Sequence, residues 1–353
     1  MTGGVEKGYK FVERERLTNR TRRKKTVNIL VTGGAGYIGS VVVKELLEQG
    51  HTVVVVDNLQ TGHREALAEG ARFVFGDISD LRLLREVMTK ERVKAVIHFA
   101  AEALVGDSMK YPSKFFRDNI CCGIDLLDAM VRAGVKRIVF SSSAAVYGEP
   151  RRIPITEDEP TIPTNPYGES KLAFEKILRW YREIHGIEYV ALRYFNAAGA
   201  AGTLGEDHKP ETHLIPIVLM AALGFLPAVT INGDDYDTPD GTCVRDFVHV
   251  LDLSAAHILS LQKTDSPAYN IGTGTGHSVR EVVSAAEKVT GKRIPVRVGP
   301  RRPGDPARLV ADGQKIRQEL KWEPKYSQLD VIIETAWEWL SQHPNGYGSV
   351  PGA

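Results

Sequence analysis

The sequence has little of what marks several large classes of protein. Its three cysteines, Cys121, Cys122 and Cys243, provide neither a disulfide framework nor a paired metal-ligand spacing. No apolar run approaches the roughly 18 residues that a membrane-spanning helix needs. A net charge of +1 leaves no basic excess for binding nucleic acid. These absences predict a cytoplasmic, globular protein that binds no metal, no nucleic acid and no membrane.

The charge is distributed unevenly along the chain. Residues 1–25 contain nine Lys or Arg and three Glu, so this segment carries +6 and the remainder carries −5. The segment lacks the apolar core of a signal peptide, and its glutamates do not fit an acid-poor transit peptide. We predict a solvated, flexible extension over residues 1–26, with a docking segment for an anionic partner as the alternative.

Segments with strand and helix patterns alternate from residue 27 onwards. Continuous β-branched runs, of which "HTVVVVDNL" at residues 51–59 is the clearest, are typical of strands buried on both faces of a sheet. Beyond about residue 197 the chain is rich in Gly, Pro and Asp. The pattern predicts an α/β fold: a doubly wound parallel sheet (Rossmann) with a smaller, interleaved C-terminal lobe. The stretch "DFVHVLDLSAAHILSL" at residues 246–261 is predicted to be a strand and helix that return to the main sheet.

A glycine-rich turn, "TGGAGYIGS", follows the first predicted strand. Glycines at this point let the backbone approach a pyrophosphate, at which the next helix aims its amino end. Asp57 ends the second strand, 24 residues after Gly33. A carboxylate there accepts hydrogen bonds from the adenosine ribose and repels a 2′-phosphate, which predicts NAD rather than NADP. The alternative is a surface aspartate beside packing glycines. Asp77 and Ile78, after the third strand, are candidates for the adenine pocket or for a plain turn. The glycines of the turn "TGGAGYIGS" are Gly33, Gly34, Gly36 and Gly39.

The stretch "NPYGESK" at residues 165–171 places a tyrosine and a lysine one helical turn apart. A phenol keeps its proton until about pH 10, so it becomes a base at neutral pH only if roughly 4 kcal/mol stabilises its anion. Lys171 supplies part of that stabilisation to Tyr167, and an oxidised nicotinamide supplies more. Ser143, which ends the strand in "FSSS", adds a hydroxyl beside the reacting oxygen. The set predicts removal of an alcohol proton while hydride leaves for NAD, with an ordinary packing pair as the alternative.

Longer motifs make the chain similar to a known family. Four stretches resemble the extended short-chain dehydrogenase/reductase family: "TGGAGYIGS", "SSSAAVYG", "YGESK" and "RYFNAAGA". Four others resemble, within that family, the enzymes that epimerise UDP-sugars at C4: "FAAEALVGDSM", "HLIPI", "GTCVRDFVHV" and "RRPGDPA". The resemblance covers roughly residues 27–342. It implies an isomerase that converts UDP-galactose to UDP-glucose by transient hydride transfer to NAD through a 4-keto intermediate.

The resemblance also implies roles for individual residues. Ser143, Tyr167 and Lys171 form the catalytic trio, with Tyr167 as the base. At the substrate the arginines hold phosphate and the aspartate holds ribose, which suits a guanidinium fork and a carboxylate. The residues implied at the cofactor are Gly33, Gly36, Tyr37, Ile38, Asp57, Asn58, Asp77, Ile78, Phe99, Ala100, Ala101, Asn119, Ser141, Tyr167, Lys171 and Tyr194. Those implied at the substrate are Ser143, Tyr167, Phe195, Asn196, His213, Leu214, Arg245, Arg302 and Asp305.

Three positions of the sequence bear on this set. Many family members carry Asn at the place of His213, and some carry Lys at the place of Ala103, so both positions depart from the family pattern. Without the resemblance, Arg245 followed by Asp246 would be interpreted as a surface ion pair.

The sequence leaves the sugar open. In the family the position of Leu309 gates the N-acetyl group: tyrosine excludes it, small residues admit it, and leucine is intermediate. UDP-N-acetylhexosamines and UDP-pentoses are therefore alternative substrates. A nucleotide-sugar dehydratase is a further alternative, but Ala144 and Ala145 stand where dehydratases carry an Asp–Glu pair. A non-catalytic NAD-binding protein is the last alternative, and the intact Tyr167–Lys171 pair argues against it.

The predicted organisation has two parts besides the extension. An NAD-binding domain covers residues 27–196 with a return segment at about 243–275, and a UDP-sugar-binding lobe covers 197–242 and 276–345. Family members pair through two helices, here about 112–133 and 167–185, whose outer faces are predicted to be more apolar than a monomer needs. We therefore expect a homodimer. The apolar residues predicted on these faces are Leu126, Leu127, Met130, Phe174, Ile177 and Leu178.

Overall fold

A parallel sheet of seven strands forms the centre of the protein. The computed structural model describes residues 26–265, 268–302 and 304–348. Its strands are β1 (Asn28–Thr32), β2 (Thr52–Asp57), β3 (Arg72–Phe75), β4 (Ala95–His98), β5 (Arg137–Ser143), β6 (Glu188–Tyr194), β7 (Asn196–Ala198), β8 (Val229–Asn232), β9 (Val244–His249), β10 (Ala268–Ile271), β11 (Gly276–Ser278), β12 (Val296–Gly299) and β13 (Arg308–Leu309). In the main sheet the order is β10-β6-β5-β4-β1-β2-β3, and the prediction of a doubly wound parallel sheet is confirmed.

Helices cover both faces of this sheet. The helices of the described residues, on this sheet and in the second lobe, are α1 (Tyr37–Glu48), α2 (Leu81–Lys90), α3 (Val105–Ser108), α4 (Pro112–Phe116), α5 (Cys122–Ala133), α6 (Pro166–His185), α7 (Leu214–Ala222), α8 (Val250–Ser260), α9 (Val279–Thr290), α10 (Gln314–Leu320) and α11 (Leu329–Gln342). Successive side chains of a strand point to opposite faces. Ile29 and Val31 of β1 therefore lie in the core with α1 and α8, whereas Leu30 lies in the core with α2, α5 and α6.

Local sequence sets the bounds of the helix that carries the Tyr–Lys pair. The side chain of Asn165 accepts a hydrogen bond from the backbone N–H of Gly168 at 2.8 Å and so caps the amino end of α6. Pro166 occupies the first helical position, where its missing N–H costs no helical hydrogen bond. Gly186 ends the helix in the left-handed region at φ +65°. These signals place Tyr167 in the first turn of the helix.

The second sheet is small and gathers strands from distant parts of the chain. In it β9 pairs with β7 and β13 in parallel and with β11 antiparallel. The prediction that the strand starting near residue 246 returns to the main sheet is therefore wrong, and β10 extends the main sheet instead. The physical reason is that β7 begins two residues after β6 ends, leaves the main sheet and offers β9 a parallel neighbour. The helix that follows does return, because Leu253 and Ala256 of α8 lie in the main core.

The C-terminal part of the chain divides between the two cores. Side chains of α7, α9 and α11 form a separate cluster that includes Val218, Val282 and Ile332, and β8 pairs with β12 beside it. Ile316 and Trp322, however, are buried in the core of the main sheet. The segment after residue 276 thus contributes to both cores, and the lobe boundaries stay a prediction.

Two expectations concern membranes and the amino end. Within the described ranges, none of the helices combines the length and the apolar character that crossing a bilayer requires. The basic extension predicted over residues 1–26 lies outside the described residues, apart from Thr26.

The two helices expected at a subunit interface bury their apolar residues within the chain itself. The first is interrupted by a π-helical turn, Arg117–Cys121, between α4 and α5. The prediction that the six apolar residues face outward is wrong for five of them, because α5 and α6 press these side chains into the core with α2 and the sheet; Ile177 is partly buried against the same core. The five residues, each 0% exposed, are Leu126, Leu127, Met130, Phe174 and Leu178.

Candidate active site

The glycine-rich turn lies between the carboxyl ends of β1 and β4, where the strand order of the sheet reverses. Gly33 has φ +73°, and a Cβ atom added there would lie 2.5 Å from the backbone nitrogen of Ala100. A Cβ on Gly39 would lie 2.2 Å from the carbonyl oxygen of Gly33. Gly36 precedes α1, and no side chain among the described residues caps that helix. The turn therefore forms a cradle without side chains, beside backbone N–H groups that suit an anion.

Asp57 lies at the end of β2, as predicted, next to this turn. Its Oδ2 accepts a hydrogen bond from the backbone N–H of Ala35 at 2.9 Å, and its Oδ1 accepts one from Leu59 at 2.8 Å. A carboxylate has about four lone-pair sites, so each oxygen keeps acceptor capacity. These hydrogen bonds from uncharged backbone N–H groups hold the carboxylate in place and leave it able to accept hydrogen bonds from hydroxyl groups.

The residues predicted at the adenine end form one hydrogen-bonded group. The side chain of Asn58 donates to Asp77 Oδ2 at 2.7 Å, and Asp77 Oδ1 accepts from the backbone of Ser79 at 2.8 Å. Burial raises the pKa of Asp77, but the hydrogen bonds from Ser79 and Asn58 outweigh burial and lower it. Ile78 is buried beside them. Asp77 is therefore an anion at neutral pH and serves to fix the loop after β3.

The loop after β4 is fastened to α6. The backbone N–H groups of Phe99 and Ala100 donate to the carbonyl of Thr32, and Ala101 follows them. Buried Asn119 then uses its whole amide: its oxygen accepts from the N–H of Glu102 at 2.8 Å, and its nitrogen donates to the carbonyl of Glu102 and to Ser170 Oγ. Asn119 thus braces the loop, and its amide has little capacity left for a ligand; its predicted place at the cofactor stays a prediction.

The three predicted catalytic residues converge at the carboxyl end of β5. Ser143 is the last residue of that strand, and its Oγ accepts a hydrogen bond from the backbone N–H of Ala145 at 3.1 Å. Lys171 lies one turn after Tyr167 on α6, with Nζ 5.7 Å from the centre of the tyrosine ring. The same Nζ donates to the carbonyl of Ser141 at 3.0 Å. Both side chains are almost fully buried, so the strand and the helix hold the trio in fixed positions.

The pKa values of this trio are set mainly by burial. Burial raises the pKa of Tyr167, and a hydrogen bond with Ser143 offsets only part of that increase. Burial also lowers the pKa of Lys171 to about 7. The prediction that Lys171 lowers the pKa of the phenol is wrong for the protein alone, because desolvation penalises both charged forms. Activation of Tyr167 therefore needs a charge that the described residues do not supply.

Other residues predicted at the cofactor line the same region. Tyr194 and Ser141 share a short hydrogen bond between their hydroxyl groups. The hydroxyl of Tyr37 donates to the carbonyl of Gly199 at 2.5 Å, which links α1 to the loop after β7. Ile38 packs against the core beneath α1. Tyr37 and Ile38 thus position the amino end of the helix, and their predicted contact with a cofactor stays a prediction.

Three predicted substrate residues lie on the second sheet and the loops beside it. Arg245 Nη2 pairs with Asp305, and Arg245 lies opposite Leu309 in the register of β9 and β13. Asp246 is fully buried and accepts backbone N–H groups of Thr273, Gly274 and Ala311. The alternative of an Arg245–Asp246 surface pair is therefore wrong. Arg302 has the side chain of Asn232, the last residue of β8, as its neighbour.

The remaining substrate candidates occupy three different places. Phe195 packs with Leu309 on a buried cluster of Val146, Tyr147, Ile155 and Leu172, close to the end of β5. Asn196 begins β7. Leu214, the first residue of α7, packs against the core of the second lobe. His213 has its Nδ1 within 2.9 Å of Glu206 and 2.8 Å of Glu211, so we do not assign its ring to the substrate.

Two functional features escaped the sequence analysis. Glu175 of α6 and Arg193 of β6 form a buried ion pair at 2.6 Å, and Glu175 also accepts from Ser142 Oγ at 2.5 Å. This pair ties the helix of Tyr167 to the strand of Ser143. The signal was an arginine inside the apolar run "YVALRYF". The second feature is a group of histidines and glutamates in "GEDHKPETH", residues 205–213, whose signal was its dense spacing of possible ligands.

A doubly wound sheet, a glycine cradle, an acid at the end of β2 and a Ser–Tyr–Lys trio together define a dinucleotide-dependent enzyme of the short-chain dehydrogenase/reductase class. Comparison with known proteins narrows this class. The model of the NAD dependent epimerase/dehydratase family matches residues 29–272, and the chain belongs to that family.

Individual relatives are similar over nearly the whole chain. A UDP-glucose 4-epimerase from Lacticaseibacillus casei is 54% identical and aligns with 91% of this chain and 99% of its own length. One from Halalkalibacterium halodurans is 53% identical, with 91% and 98% covered. The crystal structure of UDP-glucose 4-epimerase from Brucella ovis in complex with NAD has a TM-score of 0.86 and is 48% identical, with 89% of this chain and 98% of that chain covered. The family resemblance inferred from the motifs is confirmed.

Proposed function

We propose that the chain is an NAD-dependent isomerase that inverts C4 of a UDP-hexose and interconverts UDP-galactose and UDP-glucose. The observation that carries this proposal is the convergence of Ser143, Tyr167 and Lys171 beside the glycine cradle. The prediction of an epimerase that uses NAD is confirmed by the family and its relatives. The roles of individual residues and the choice of sugar are our own inference.

The residues present fit NAD. Gly33 and Gly39 leave no room for a Cβ atom, which would meet the backbone of Ala100 or of Gly33, so the turn is tight enough to pass close to a pyrophosphate. Asp57 would accept the hydroxyl groups of the adenosine ribose, and its charge would repel a 2′-phosphate. When bound, NAD accepts hydride from a substrate carbon and returns it. Lys171 would hold the nicotinamide ribose with the N–H groups that Ser141 leaves unused.

Within this site Tyr167 would take the proton of the 4-hydroxyl group and later return it to the ketone. Ser143 would donate its hydroxyl proton to the same oxygen, since its Oγ already accepts from Ala145. Burial surrounds the hydrogen bonds from Tyr167 and Ser143 to the sugar oxygen with a medium of low dielectric constant, in which they are stronger than in water. The positive charge of an oxidised nicotinamide is what would lower the pKa of Tyr167, because Lys171 does not do so in the protein alone.

Inversion requires a firm hold on UDP and a loose hold on the hexose. Arg245 and Arg302 would bind the phosphate oxygens, and Asp305, which already pairs with Arg245, would accept the uridine ribose hydroxyls. Phe195 and Leu309 offer apolar surface that restrains the sugar little. A 4-keto sugar can then rotate about its bond to the phosphate and present its other face to Tyr167.

A dehydratase is the second candidate from the same family, and the structure disfavours it. Elimination of water needs an acid and a base just after the serine at the end of β5. Ala144 and Ala145 occupy these places, in a 3-10 turn that follows Ser143. Epimerases for UDP-N-acetylhexosamines or UDP-pentoses remain open alternatives, since both would use the same trio.

A panel of UDP-sugars with product analysis tests the proposal. We expect UDP-galactose and UDP-glucose to interconvert without net change in redox state. A product that has lost water would overturn the proposal in favour of a dehydratase. Denaturing the purified protein and identifying the released nucleotide tests the cofactor: we expect NAD, and release of NADP would contradict the role of Asp57.

We also propose a homodimer in the cytoplasm. All three cysteines are free, which suits a reducing compartment. The buried residues first expected at the interface cannot form it, but α6 exposes others. Trp180 and Ile184 lie one turn apart on α6 and are 54% and 69% exposed, and the partly buried Ile177 lies one turn before them. Neither a membrane nor a nucleic acid is needed as a partner.

A further inference from the structure

Four side chains outside the proposed reaction converge on the segment that joins β7 to α7. Glu206, His208, Glu211 and His213 each offer one possible ligand atom, and these atoms all lie within 4.8 Å of one another. The rings of the two histidines have centroids 5.1 Å apart. Two imidazoles and two carboxylates are the ligand types that divalent transition metals bind in proteins. We call these residues the His–Glu cluster.

The distances within the His–Glu cluster are close to those of a tetrahedral metal site. Zinc bonds of 2.0 to 2.2 Å imply ligand-to-ligand separations of about 3.3 to 3.6 Å. His208 Nδ1 lies 3.2 Å from Glu206 Oε1 and 3.9 Å from Glu211 Oε2. His213 Nδ1 lies 2.9 Å from Glu206 Oε1 and 2.8 Å from Glu211 Oε1. Small shifts of these side chains would therefore let the four ligand atoms surround a single ion.

Burial argues that this cluster is more than a solvated ion-pair network. The side chains of Glu206 and Glu211 are only 8% and 9% exposed. Two buried carboxylates this close need positive charge between them. His208 Nδ1 is buried and, among the described residues, has no hydrogen-bond partner of acceptable geometry, although it points at Glu206. A ring nitrogen in that position is placed to coordinate an ion.

A divalent ion bound between these side chains would supply the positive charge that the two buried carboxylates need.

We propose that Glu206, His208, Glu211 and His213 form a binding site for a single divalent transition-metal ion, with zinc as the best match. Imidazole ligands suit zinc, whereas magnesium and calcium prefer oxygen ligands alone. Four protein ligands complete a tetrahedron, so the site is closed and structural, without a position for a reacting water.

Such an ion would stabilise the loop between the two lobes. Asp207, inside the cluster segment, accepts the backbone N–H of Tyr347 at 2.9 Å and contacts His63. At the start of the loop, the carbonyl of Gly199 accepts from Tyr37 of α1. The ion would therefore tie the amino end of α7 to a loop that already contacts the cofactor-binding half and the C-terminal segment.

Metal analysis of the full, untagged chain tests this site. After treatment with a chelator and dialysis, Zn²⁺ would be titrated against a chromophoric competitor. We expect one ion per chain with a dissociation constant below about 1 μM, a higher melting temperature with Zn²⁺, and a tetrahedral visible spectrum with Co²⁺. The double variant His208→Gln with Glu211→Gln should weaken binding by at least about 100-fold, since it removes two ligands.

The control variant is His277→Gln, a histidine on β11 outside the cluster, which should bind Zn²⁺ like the parent chain. If the double variant does not fold, Glu211→Gln alone and the Co²⁺ spectrum decide. If about 10 μM protein binds no Zn²⁺ when the ion is in 10-fold excess, the proposal is overturned and the cluster is a plain ion-pair network. Stoichiometric binding that persists in the double variant would overturn it as well. None of these outcomes depends on the epimerase reaction.

Discussion

Tyr167 is buried, and burial acts against the chemistry proposed for it. The helix places Lys171 one turn away, as the spacing "YGESK" predicted, but desolvation raises the pKa of the phenol and lowers that of the amine to about 7. A sequence gives the spacing of two side chains and not the water that they lose on folding. The residues of the trio were therefore predictable, whereas the direction in which the pKa of Tyr167 shifts was not.

The first prediction at this scale concerns the proposed base. Tyr167→Phe removes the hydroxyl that would exchange a proton with the sugar, so turnover of UDP-galactose should fall by roughly 10²-fold or more, the usual scale of acid–base catalysis. Binding of UDP, measured by calorimetry, should hardly change. Tyr181→Phe is the matched control on the same helix, because its hydroxyl donates to Asp128 and not to the site. Near-normal turnover of Tyr167→Phe would remove Tyr167 from the mechanism.

Leu309 carries the second prediction at the scale of residues. It lies partly buried beside Phe195 and opposite Arg245, so it borders the proposed sugar position. Close-packed walls tolerate extra atoms poorly, so the parent chain should act on UDP-N-acetylhexosamines more slowly than on UDP-hexoses. Leu309→Ser should raise kcat/KM for the N-acetylated pair more than for the plain pair.

The control for this change is Arg308→Ser, an exposed neighbour on the same strand. It should leave the ratio of the two kcat/KM values unchanged. Equal kcat/KM for both sugar pairs in the parent chain would show that Leu309 is no gate.

At the scale of elements, prediction succeeded where a pattern is local and failed where it depends on a partner. The glycine turn, the ends of α6 and the buried strands follow from neighbouring residues, and the structure has them. The destination of β9 does not, because an apolar strand pattern is the same in either sheet. Only the departure of β7 from the main sheet decides it. The Glu175–Arg193 pair escaped for the same reason, since its members meet only once α6 packs on β6.

Helix α8 brings a pH-dependent element into the core. Buried His257 has its Nδ1 on the carbonyl of Leu253 at 2.8 Å, and burial lowers its pKa to about 4. The unfolded chain takes up this proton near pH 6.5 and the folded chain only near pH 4. The corresponding stability is thus complete above pH 6.5 and is lost as the pH falls towards 4, by up to about 3 kcal/mol.

Replacing this histidine should reduce the acid sensitivity. We expect His257→Leu to lose less stability than the parent chain between pH 6.5 and 4.5, measured as the midpoint of urea unfolding by circular dichroism. His185→Leu, at the exposed end of α6, is the control and should follow the parent chain. Parallel curves for His257→Leu and the parent chain would contradict a neutral His257.

At the scale of the whole molecule, apolar side chains on α5 and α6 have two destinations. Sequence periodicity identified both helices correctly, but it assigned to the outer face residues that the chain buries in its own core. A period of 3.6 shows that a helix has an apolar stripe and does not say what covers it. On α6 a second, exposed stripe remains, formed by Trp180 and Ile184, with the partly buried Ile177 one turn before Trp180.

The last prediction is that this exposed stripe holds two chains together. Trp180 and Ile184 are 54% and 69% exposed; large apolar side chains this exposed are unfavourable on a monomer and are typical of an interface. Sedimentation at micromolar concentration should give twice the chain mass of 38.9 kDa. The double variant Trp180→Glu with Ile184→Glu places like charges on both copies and should shift the protein to a monomer without unfolding it. Phe75→Glu is the matched control, because Phe75 is 67% exposed but lies on β3 at the far edge of the sheet. A parent chain that sediments only at 38.9 kDa, or a control that dissociates as readily as the double variant, would contradict this interface.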